Sequence, residues 1–432
     1  MASTVGNGQP NSAWRSTSPH SLRRIATQLS VVLLCVAGGL WGAMWWQERP
    51  LRTVEGLLRQ GDLLRATTEV EHFLQDHPHH ERALSLKARI FVEQGRSQEA
   101  IVLFERVGAS EPQDLHAWAK ALLQQEQWSL AIPLLEYVDK SGIDHADVVH
   151  EIAACYAKLG NFDKALKAAE EFANQPGFAA RGELLKGTIH HQRGNLRLTA
   201  SAWSVVLKSS PDALDLQISP AEFFLEYGRV LLALGEPALA EKLITRSLDI
   251  EQSPSAHVSL GETKFQLGKA AEARECFEAT LSSDPDSLAA RKGLATLALA
   301  EGQAERAVEL LIPLEQSTAL TSEIAFLLQR GYVRLGNEAS AKQWQERADQ
   351  LRVEENIKSA ADQILRDTPD SDWAEVIRAY KFARVGNWTE AEILLNTLGV
   401  ESQTQPFIRD LCAAVKSRGE LPSLRDLPIR DR

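Results

Sequence analysis

Glycine residues return at a nearly constant distance along most of this chain. Four of the eight intervals between successive members of the series are 34 residues, and a fifth is 33. A small residue stands five positions after each of these glycines, and a larger apolar residue usually follows four positions later. A period of this length predicts stacked small units, none of which buries its apolar face alone. The glycines are Gly61, Gly95, Gly160, Gly194, Gly235, Gly268, Gly302, Gly336 and Gly386, and the small residues are Ala66, Ala100, Ala165, Thr199, Ala240, Ala273, Ala307, Ala341 and Ala391.

The stretch YAKLGNFDKALKAAEEF, residues 156–172, shows what one unit contains. Gly160 can adopt a positive φ and end a first helix, and Asn161 can cap the N-terminus of a second helix. A small residue at Ala165 lets the two helices approach closely, and we expect Phe172 to fill the space towards the next unit. The stretch therefore predicts a helix–turn–helix that packs against its neighbours.

With its period of 34 residues, the chain resembles the tetratricopeptide repeat (TPR) family, whose pattern runs through Leu-Gly, Tyr, Ala, Phe and Pro. The resemblance implies an all-α, right-handed α-solenoid of about ten units between residues 47 and 398. A unit without the turn glycine lies at 117–138. The residues that carry the resemblance are Ala153, Tyr156, Gly160, Ala165 and Phe172 in unit 146–179, Gly187, Gly194, Trp203 and Pro211 in unit 180–213, and Leu260, Gly261, Gly268, Ala273, Phe277 and Pro285 in unit 254–287.

Two intervals depart from the period through insertions near 212–218 and 351–372, and the interval from Gly95 to Gly160 spans the unit without a turn glycine. Each insertion is either a flexible joint or a longer loop, and we expect the second to extend a helix and to turn at Pro369. Residues 406–417 suggest a capping helix. We therefore expect a disordered tail at 1–24, an anchor helix at 25–47, the repeats at 48–398, and a capping helix and tail at 399–432.

The segment Leu29–Trp46 contains 18 residues and no charge. As a helix it spans about 27 Å, close to the roughly 30 Å apolar core of a bilayer. Its tryptophans gather at one end, where indole rings favour the membrane interface. A cleaved signal peptide would have a shorter apolar region and a small-residue cleavage site, which GAMWWQERP does not offer. We therefore expect a single-pass anchor, with the N-terminus inside and the large domain on the extracytoplasmic side, which is periplasmic in a bacterium.

Charge and motifs argue against several classes of function. The net charge is −11, and residues 1–47 carry +3, so the remainder carries −11 − 3 = −14 and would repel nucleic-acid phosphates. The stretch GETKFQLGKA, residues 261–270, lacks the Lys-Ser/Thr pair of a phosphate-binding loop. The histidines of HPHH, residues 77–80, fall in an inter-repeat turn. We expect no enzyme activity, cofactor, metal site or small-molecule substrate.

The first helices of such repeats commonly form a concave groove that binds peptides or partner helices. Basic residues recur at the groove positions although the rest of the domain is acidic, which suggests a site for acidic segments or C-terminal carboxylates. The asparagines of the family's carboxylate clamp are absent, and the same basic residues also serve solubility. The groove residues are Arg89, His191, Arg229, Glu262, Lys292, Arg330 and Arg334.

We therefore expect a non-catalytic, membrane-anchored scaffold or adaptor that acts through protein–protein interactions. The alternative is a chaperone-like or receptor-like module that binds clients of an envelope assembly, cytochrome maturation or secretion pathway. In layout the chain is similar to membrane-anchored bacterial TPR proteins of the first two pathways.

Overall fold

The computed structural model describes residues 49–142, 145–315 and 320–427, and these ranges contain helices and turns but no strand. The predicted tail and anchor helix, residues 1–47, lie outside the described residues. The chain divides into two compact units, the first ending at Ala109 and the second beginning at Ser110. No helix in the described ranges combines the length and the apolar character that a bilayer crossing requires.

The first unit contains two helix pairs, and each of its helices contacts the next one along the chain. Val70 and Phe73 of the second helix are buried against Ala83, Leu86 and neighbouring apolar residues. The helices are α1 (Arg49–Gln60), α2 (Leu63–Asp76), α3 (Glu81–Glu93) and α4 (Ser97–Val107).

The second unit contains eight further helix pairs, so the described residues form ten pairs, in agreement with the expected number. Each helix from Pro112–Gln124 to Trp388–Asn396 contacts the next one along the chain. The pairs are α5 (Pro112–Gln124) with α6 (Trp128–Ser141), α7 (His145–Lys158) with α8 (Phe162–Ala173), α9 (Ala179–Gln192) with α10 (Leu196–Ser209), α11 (Pro220–Ala233) with α12 (Pro237–Ile250), α13 (Pro254–Gln266) with α14 (Ala270–Ser283), α15 (Leu288–Ala300) with α16 (Ala304–Leu311), α17 (Ser322–Arg334) with α18 (Glu338–Asp367), and α19 (Asp372–Arg384) with α20 (Trp388–Asn396).

The turn inside each pair has the predicted geometry. Gly160 adopts a φ of 71°, and the side chain of Asn161 accepts a hydrogen bond from the backbone N–H of Lys164 at 3.4 Å. Both expectations for this turn are therefore confirmed. In the pair without a turn glycine, Glu126 takes the corresponding left-handed conformation with a φ of 55°.

Large side chains on second helices fill the space between consecutive first helices. Phe277 of α14 is buried between Gly261 of α13 and Gly293 of α15. A Cβ at Gly261 would lie 2.7 Å from the Phe277 ring, and one at Gly293 would lie 2.5 Å from it. Phe172 is also fully buried, and its ring lies 5.0 Å from that of Phe178 at the start of the next pair. The expected role of Phe172 is confirmed.

The two insertions form ordered structure. A short 3₁₀ turn, Leu214–Leu216, contacts α9, and both Ala213 and Leu216 are buried in the adjoining core. The second insertion lengthens α18 to 30 residues, after which the chain turns and enters α19.

The last helices pack back onto earlier parts of the second unit. Helix α20 contacts α6, and the helix Pro406–Ser417 (α22) covers α19 and α20. A four-residue helix, Val400–Gln403 (α21), precedes α22, and a 3₁₀ turn, Leu424–Asp426, contacts α18. The turns within the pairs at 125–128, 159–162, 193–196 and 234–237 form an edge that we call the A–B turn edge, because each turn joins the first helix (A) of a pair to the second helix (B). The tenth helix pair is therefore held by its sequence neighbours and by the A–B turn edge.

Candidate functional site

First helices of consecutive pairs lie side by side in the second unit. Helix α11 contacts α13, α13 contacts α15, and α15 contacts α17. Their outward side chains therefore form one continuous surface, which we call the first-helix face. Of the residues predicted for the groove, six belong to first helices of this unit, whereas Arg89 belongs to α3 of the first unit and is half-buried.

Two of the basic residues on the first-helix face are already paired. The Arg229 guanidinium donates to Glu226 at 2.6 Å and to the Ser259 hydroxyl at 2.9 Å. The Lys292 ammonium lies 3.0 Å from a carboxylate oxygen of Glu323. The partner carboxylates belong to first helices as well, so the local net positive charge is smaller than the basic residues alone suggest.

The other predicted residues have different surroundings. Arg334 donates to the carbonyl of Leu299 at the end of α15. Arg330 is exposed, and its guanidinium lies 5.9 Å from the ring centre of Phe326. His191 is exposed beside Trp203, with ring centres 5.9 Å apart. Glu262 is half-buried and has neither a hydrogen bond nor an ion pair with the described residues. Each of these four side chains therefore has its own surroundings.

The first-helix face also carries exposed apolar side chains that the sequence reasoning missed. Phe265 is 37% exposed, Phe326 is 42% exposed and Val333 is 56% exposed. Phe265 and Val333 stand three positions before their turn glycines, as His191 does. The signal was present in the repeat register, because three positions before the glycine is a groove position in each unit.

A second polar cluster lies where the last pair meets the A–B turn edge. Glu390 is fully buried, and its Oε1 accepts a hydrogen bond from the backbone N–H of Ser129 at 3.1 Å and another from the Ser129 hydroxyl. The Asn387 amide donates to the carbonyl of Glu126 at 3.1 Å. The Asn161 amide donates to Asp370 at 3.3 Å. These bonds join segments more than 200 positions apart in the sequence.

Burial governs the ionisation of this cluster. Burial raises the pKa of Glu390 above its usual value, although the hydrogen bonds from Ser129 act in the opposite direction. Burial likewise raises the pKa of Glu375, whose carboxylate accepts from the buried Arg378 at 2.7 Å. Arg378 is only 4% exposed and also donates to the carbonyl of Pro369 at 2.7 Å. The cluster joins the last pair to the A–B turn edge through buried polar contacts.

The histidines of HPHH have local roles in the first unit. The His77 ring stacks on Phe73 at 4.7 Å, and His80 Nδ1 accepts from the N–H of Ala83 at 3.3 Å, which caps α3. Elsewhere, His145 lies between two carboxylates, 2.6 Å from Asp139 and 3.7 Å from Glu171. Each of these histidines contacts other residues of the protein.

Comparison with known proteins agrees with this architecture. Residues 57–123 and 264–330 match the model of the tetratricopeptide repeat, and residues 98–172 match the model of anaphase-promoting complex, cyclosome, subunit 3. The matched residues thus have the pattern of tetratricopeptide repeats, a type of repeat that is generally non-catalytic and suggests a protein-interaction scaffold. A search of curated proteins found no matching sequence.

Several solved structures are similar in fold. The apo form of the quorum sensor NprR from B. thuringiensis is 14% identical with a TM-score of 0.50, and the match covers 70% of this chain and 97% of that one. The C-terminal part of a TPR repeat-containing protein from Cytophaga hutchinsonii is 15% identical with a TM-score of 0.46, covering 56% and 98%. PilW, a type IV pilus biogenesis factor, is 17% identical with a TM-score of 0.40, covering 54% and 97%. At such identities, the likeness to NprR supports the fold alone.

Proposed function

We propose that this protein is a non-catalytic scaffold or adaptor that binds other proteins through the first-helix face. The observation that carries the proposal is the exposure of Phe265, Phe326 and Val333 on first helices, together with the Arg330 guanidinium 5.9 Å from the ring centre of Phe326. Within the described part of the chain, Arg330 has no ion pair. Aromatic side chains and arginines dominate the binding energy of protein interfaces, because they bury much area and donate several hydrogen bonds. The face therefore suits a peptide or helix with apolar and acidic side chains.

The predicted groove residues Arg229, Lys292 and Arg330 have unequal roles in this proposal. Arg330 is ready to pair with a partner's carboxylate, whereas Arg229 and Lys292 must first exchange Glu226 and Glu323 for that partner. We therefore expect Arg330→Glu to weaken binding more than Lys292→Glu does. His191, Glu262 and Arg334 remain part of the proposed first-helix face, and Arg89 remains a separate proposed contact residue in the first unit.

Membrane attachment is a separate part of the proposal. We propose that residues 29–46 anchor the protein and hold the repeats on the extracytoplasmic side. The support is the uncharged run Leu29–Trp46 and its tryptophans at one end. Resistance to alkaline extraction tests the anchor, and reporter fusions at the C-terminus test the orientation. Release by alkali, or activity of a reporter that works only in the cytoplasm, would contradict this part.

The binding role is tested by site-specific photo-crosslinking in membranes with the full chain. A photoreactive residue at position 326 is compared with one at position 306, an exposed residue of second helix α16. We expect one partner in a stable complex at position 326, and its loss in Arg330→Glu. Equal crosslinking at both positions would contradict the role of the face. Many weak, transient substrates would indicate a client receptor in place of a scaffold.

A further inference from the structure

A cleft of about 480 Å³ lies where the end of α18 approaches the A–B turn edge. One wall is the turn of the fifth pair, from Arg193 to Arg197, together with Leu234 of the sixth pair. The other wall is Arg366 and Asp367 in the last turn of α18. The cleft therefore exists because the second insertion lengthens α18, and it is separate from the first-helix face.

Three arginines and one aspartate line the cleft, although the chain as a whole has a net charge of −11. The Arg193 guanidinium is paired with Asp163 at 2.7 Å. By contrast, neither Arg197 nor Arg366 has a hydrogen bond or an ion pair with any described residue. Two guanidinium groups therefore remain available to a ligand on opposite walls of one cleft.

Cationic side chains also lie close to the cleft. Burial lowers the pKa of His190, and the charges of Arg193 and Lys186 lower it further. The backbone N–H groups at the start of α10 add a small partial positive charge. One of them, the N–H of Leu198, donates to the Asn195 side chain at 3.3 Å. An anionic group in the cleft would gain from both effects.

We propose that this cleft binds an acidic peptide segment of a partner protein, with carboxylates on Arg197 and Arg366. Guanidinium groups bind carboxylates through paired, charge-assisted hydrogen bonds. The half-buried side chains of Leu196 and Leu234 also line the cleft, so it offers apolar contact beside the charges. This combination suits a peptide with apolar residues next to Asp or Glu.

The probe is a labelled peptide with a central Asp-Leu-Glu-Leu-Asp sequence between Gly-Ser flanks, and its matched control carries Asn and Gln in place of Asp and Glu. Fluorescence anisotropy at low salt measures Kd for the full chain in detergent. We expect Arg197→Glu with Arg366→Glu to raise Kd at least about tenfold, since charge-assisted bonds to both walls are lost. The control variant, Arg306→Glu with Arg409→Glu, makes the same charge change at two exposed arginines and should alter Kd less than about twofold.

Two further measurements show where the probe binds and which kind of anion the cleft prefers. A photoreactive residue at the centre of the probe should label residues 193–197 or 366–367. If the Glu variant does not fold, Arg197→Gln with Arg366→Gln serves in its place and should raise Kd several-fold. The proposal is overturned if the wild-type chain does not bind the acidic probe, or if the cleft and control variants bind it equally. Pyrophosphate that binds more tightly than the probe and needs the same arginines would assign the cleft to inorganic anions instead.

The peptide-binding test of the cleft and the crosslinking test of the scaffold role can fail independently of each other. Loss of probe binding in the cleft variant, with unchanged crosslinking from position 326, would show two independent surfaces. Failure of the cleft alone leaves the first-helix face untouched, because Arg197 and Arg366 belong to the turn of the fifth pair and to the end of α18.

Discussion

Glu390 caps α6 through Ser129, which lies 261 positions earlier in the chain: the Glu390 carboxylate accepts from the N–H of Ser129 at 3.1 Å and from the Ser129 hydroxyl. Ser129 is in the first turn of α6, where backbone N–H groups have no partner within the helix. The residue before α6, Gln127, makes no side-chain cap of its own. The last helix pair therefore supplies a cap that the third pair lacks, which fixes the C-terminal helices against the A–B turn edge.

Replacement of Glu390 by Ala should loosen this contact. The substitution leaves the N–H and hydroxyl of Ser129 without their acceptor, which costs about 1–3 kcal/mol for buried groups. Hydrogen exchange should accelerate in 372–396 and at the start of α6, while the first unit stays unchanged. Glu99 occupies the same repeat position but is exposed, so Glu99→Ala is the control and should leave exchange in 372–396 as it was. Unaltered exchange in the Glu390 variant would show that the cap does not hold the last pair.

The same contact should weaken as the pH rises. Burial raises the pKa values of Glu390 and Glu375, so their stabilising contribution is complete below the usual carboxyl pKa and is lost as pH rises through the raised values. Exchange in 372–396, corrected for intrinsic rates, should therefore accelerate from about pH 4.5 towards neutrality. Glu390→Gln keeps an acceptor for Ser129 without the charge and should flatten this dependence. A wild-type profile that slows with rising pH would contradict the assignment.

Alanine should change stability in opposite directions at two helical glycines, one packed against Phe277 and one in open space. Gly261→Ala places a Cβ 2.7 Å from the Phe277 ring, and overpacking of this kind costs about 1–3 kcal/mol. Gly56→Ala, in α1, meets nothing within 4 Å and should stabilise its helix by about 0.5–1 kcal/mol. Phe277→Ala should destabilise by about 3–5 kcal/mol because it leaves a cavity between three helices. Urea unfolding measures all three variants, and a stabilising Gly261→Ala would refute this account of the packing.

The fully buried Cys155 thiol should be chemically inert in the folded protein. Burial, reinforced by the carboxylates of Glu151 and Glu390, raises the pKa of Cys155 to about 12. At pH 8 about 1 in 10⁴ of these thiols is ionised, and the thiolate is the reactive form. In a Cys35→Ala background, iodoacetamide should modify the partly exposed Cys412 well before Cys155. Glu390→Ala should accelerate modification of Cys155 if opening of the last pair exposes α7. Equal modification rates for Cys155 and Cys412 in the parent would contradict the prediction.

The repeat pattern predicts local structure and neighbour packing, since both depend on residues within about one unit. Gly160, Asn161 and Phe172 behave as their positions indicate. The return of the last pair to the A–B turn edge was not predictable in this way. Glu390 stands four positions after its turn glycine, where Arg65 and Glu99 are exposed, yet Glu390 is buried because α6 covers it.

For the candidate surface, the sequence predicted the positions of residues but not their ion-pair partners. The register placed Arg229, Lys292 and Arg330 on first helices, but it carried no information on which acids reach them. Glu226 lies three positions before Arg229 in the same helix, and Glu323 comes from the next first helix. Such pairs depend on side-chain conformation and on the spacing of helices, which a periodic pattern does not specify. The cleft at Arg366 depends on the length of α18 and on its direction, and the sequence indicated only the length.

Glu126 occupies the turn of the third pair, where the other pairs have glycine, and it contacts the last pair. Its φ of 55° lies in the left-handed region that glycine occupies in the other pairs, and this conformation costs a residue with a Cβ about 1–2 kcal/mol. Its side chain is exposed, whereas its carbonyl accepts from Asn387.

Glu126→Gly should therefore raise the free energy of unfolding by up to about 1 kcal/mol, because relief of the backbone strain exceeds the added entropy of the unfolded chain. Glu126→Ala removes the same side chain but keeps the Cβ, so its stability should match that of the parent. Thermal unfolding of the three proteins at one pH compares them directly. Equal shifts in the Gly and Ala variants would trace the effect to the carboxylate and not to the backbone conformation, because only the Gly variant relieves the strain.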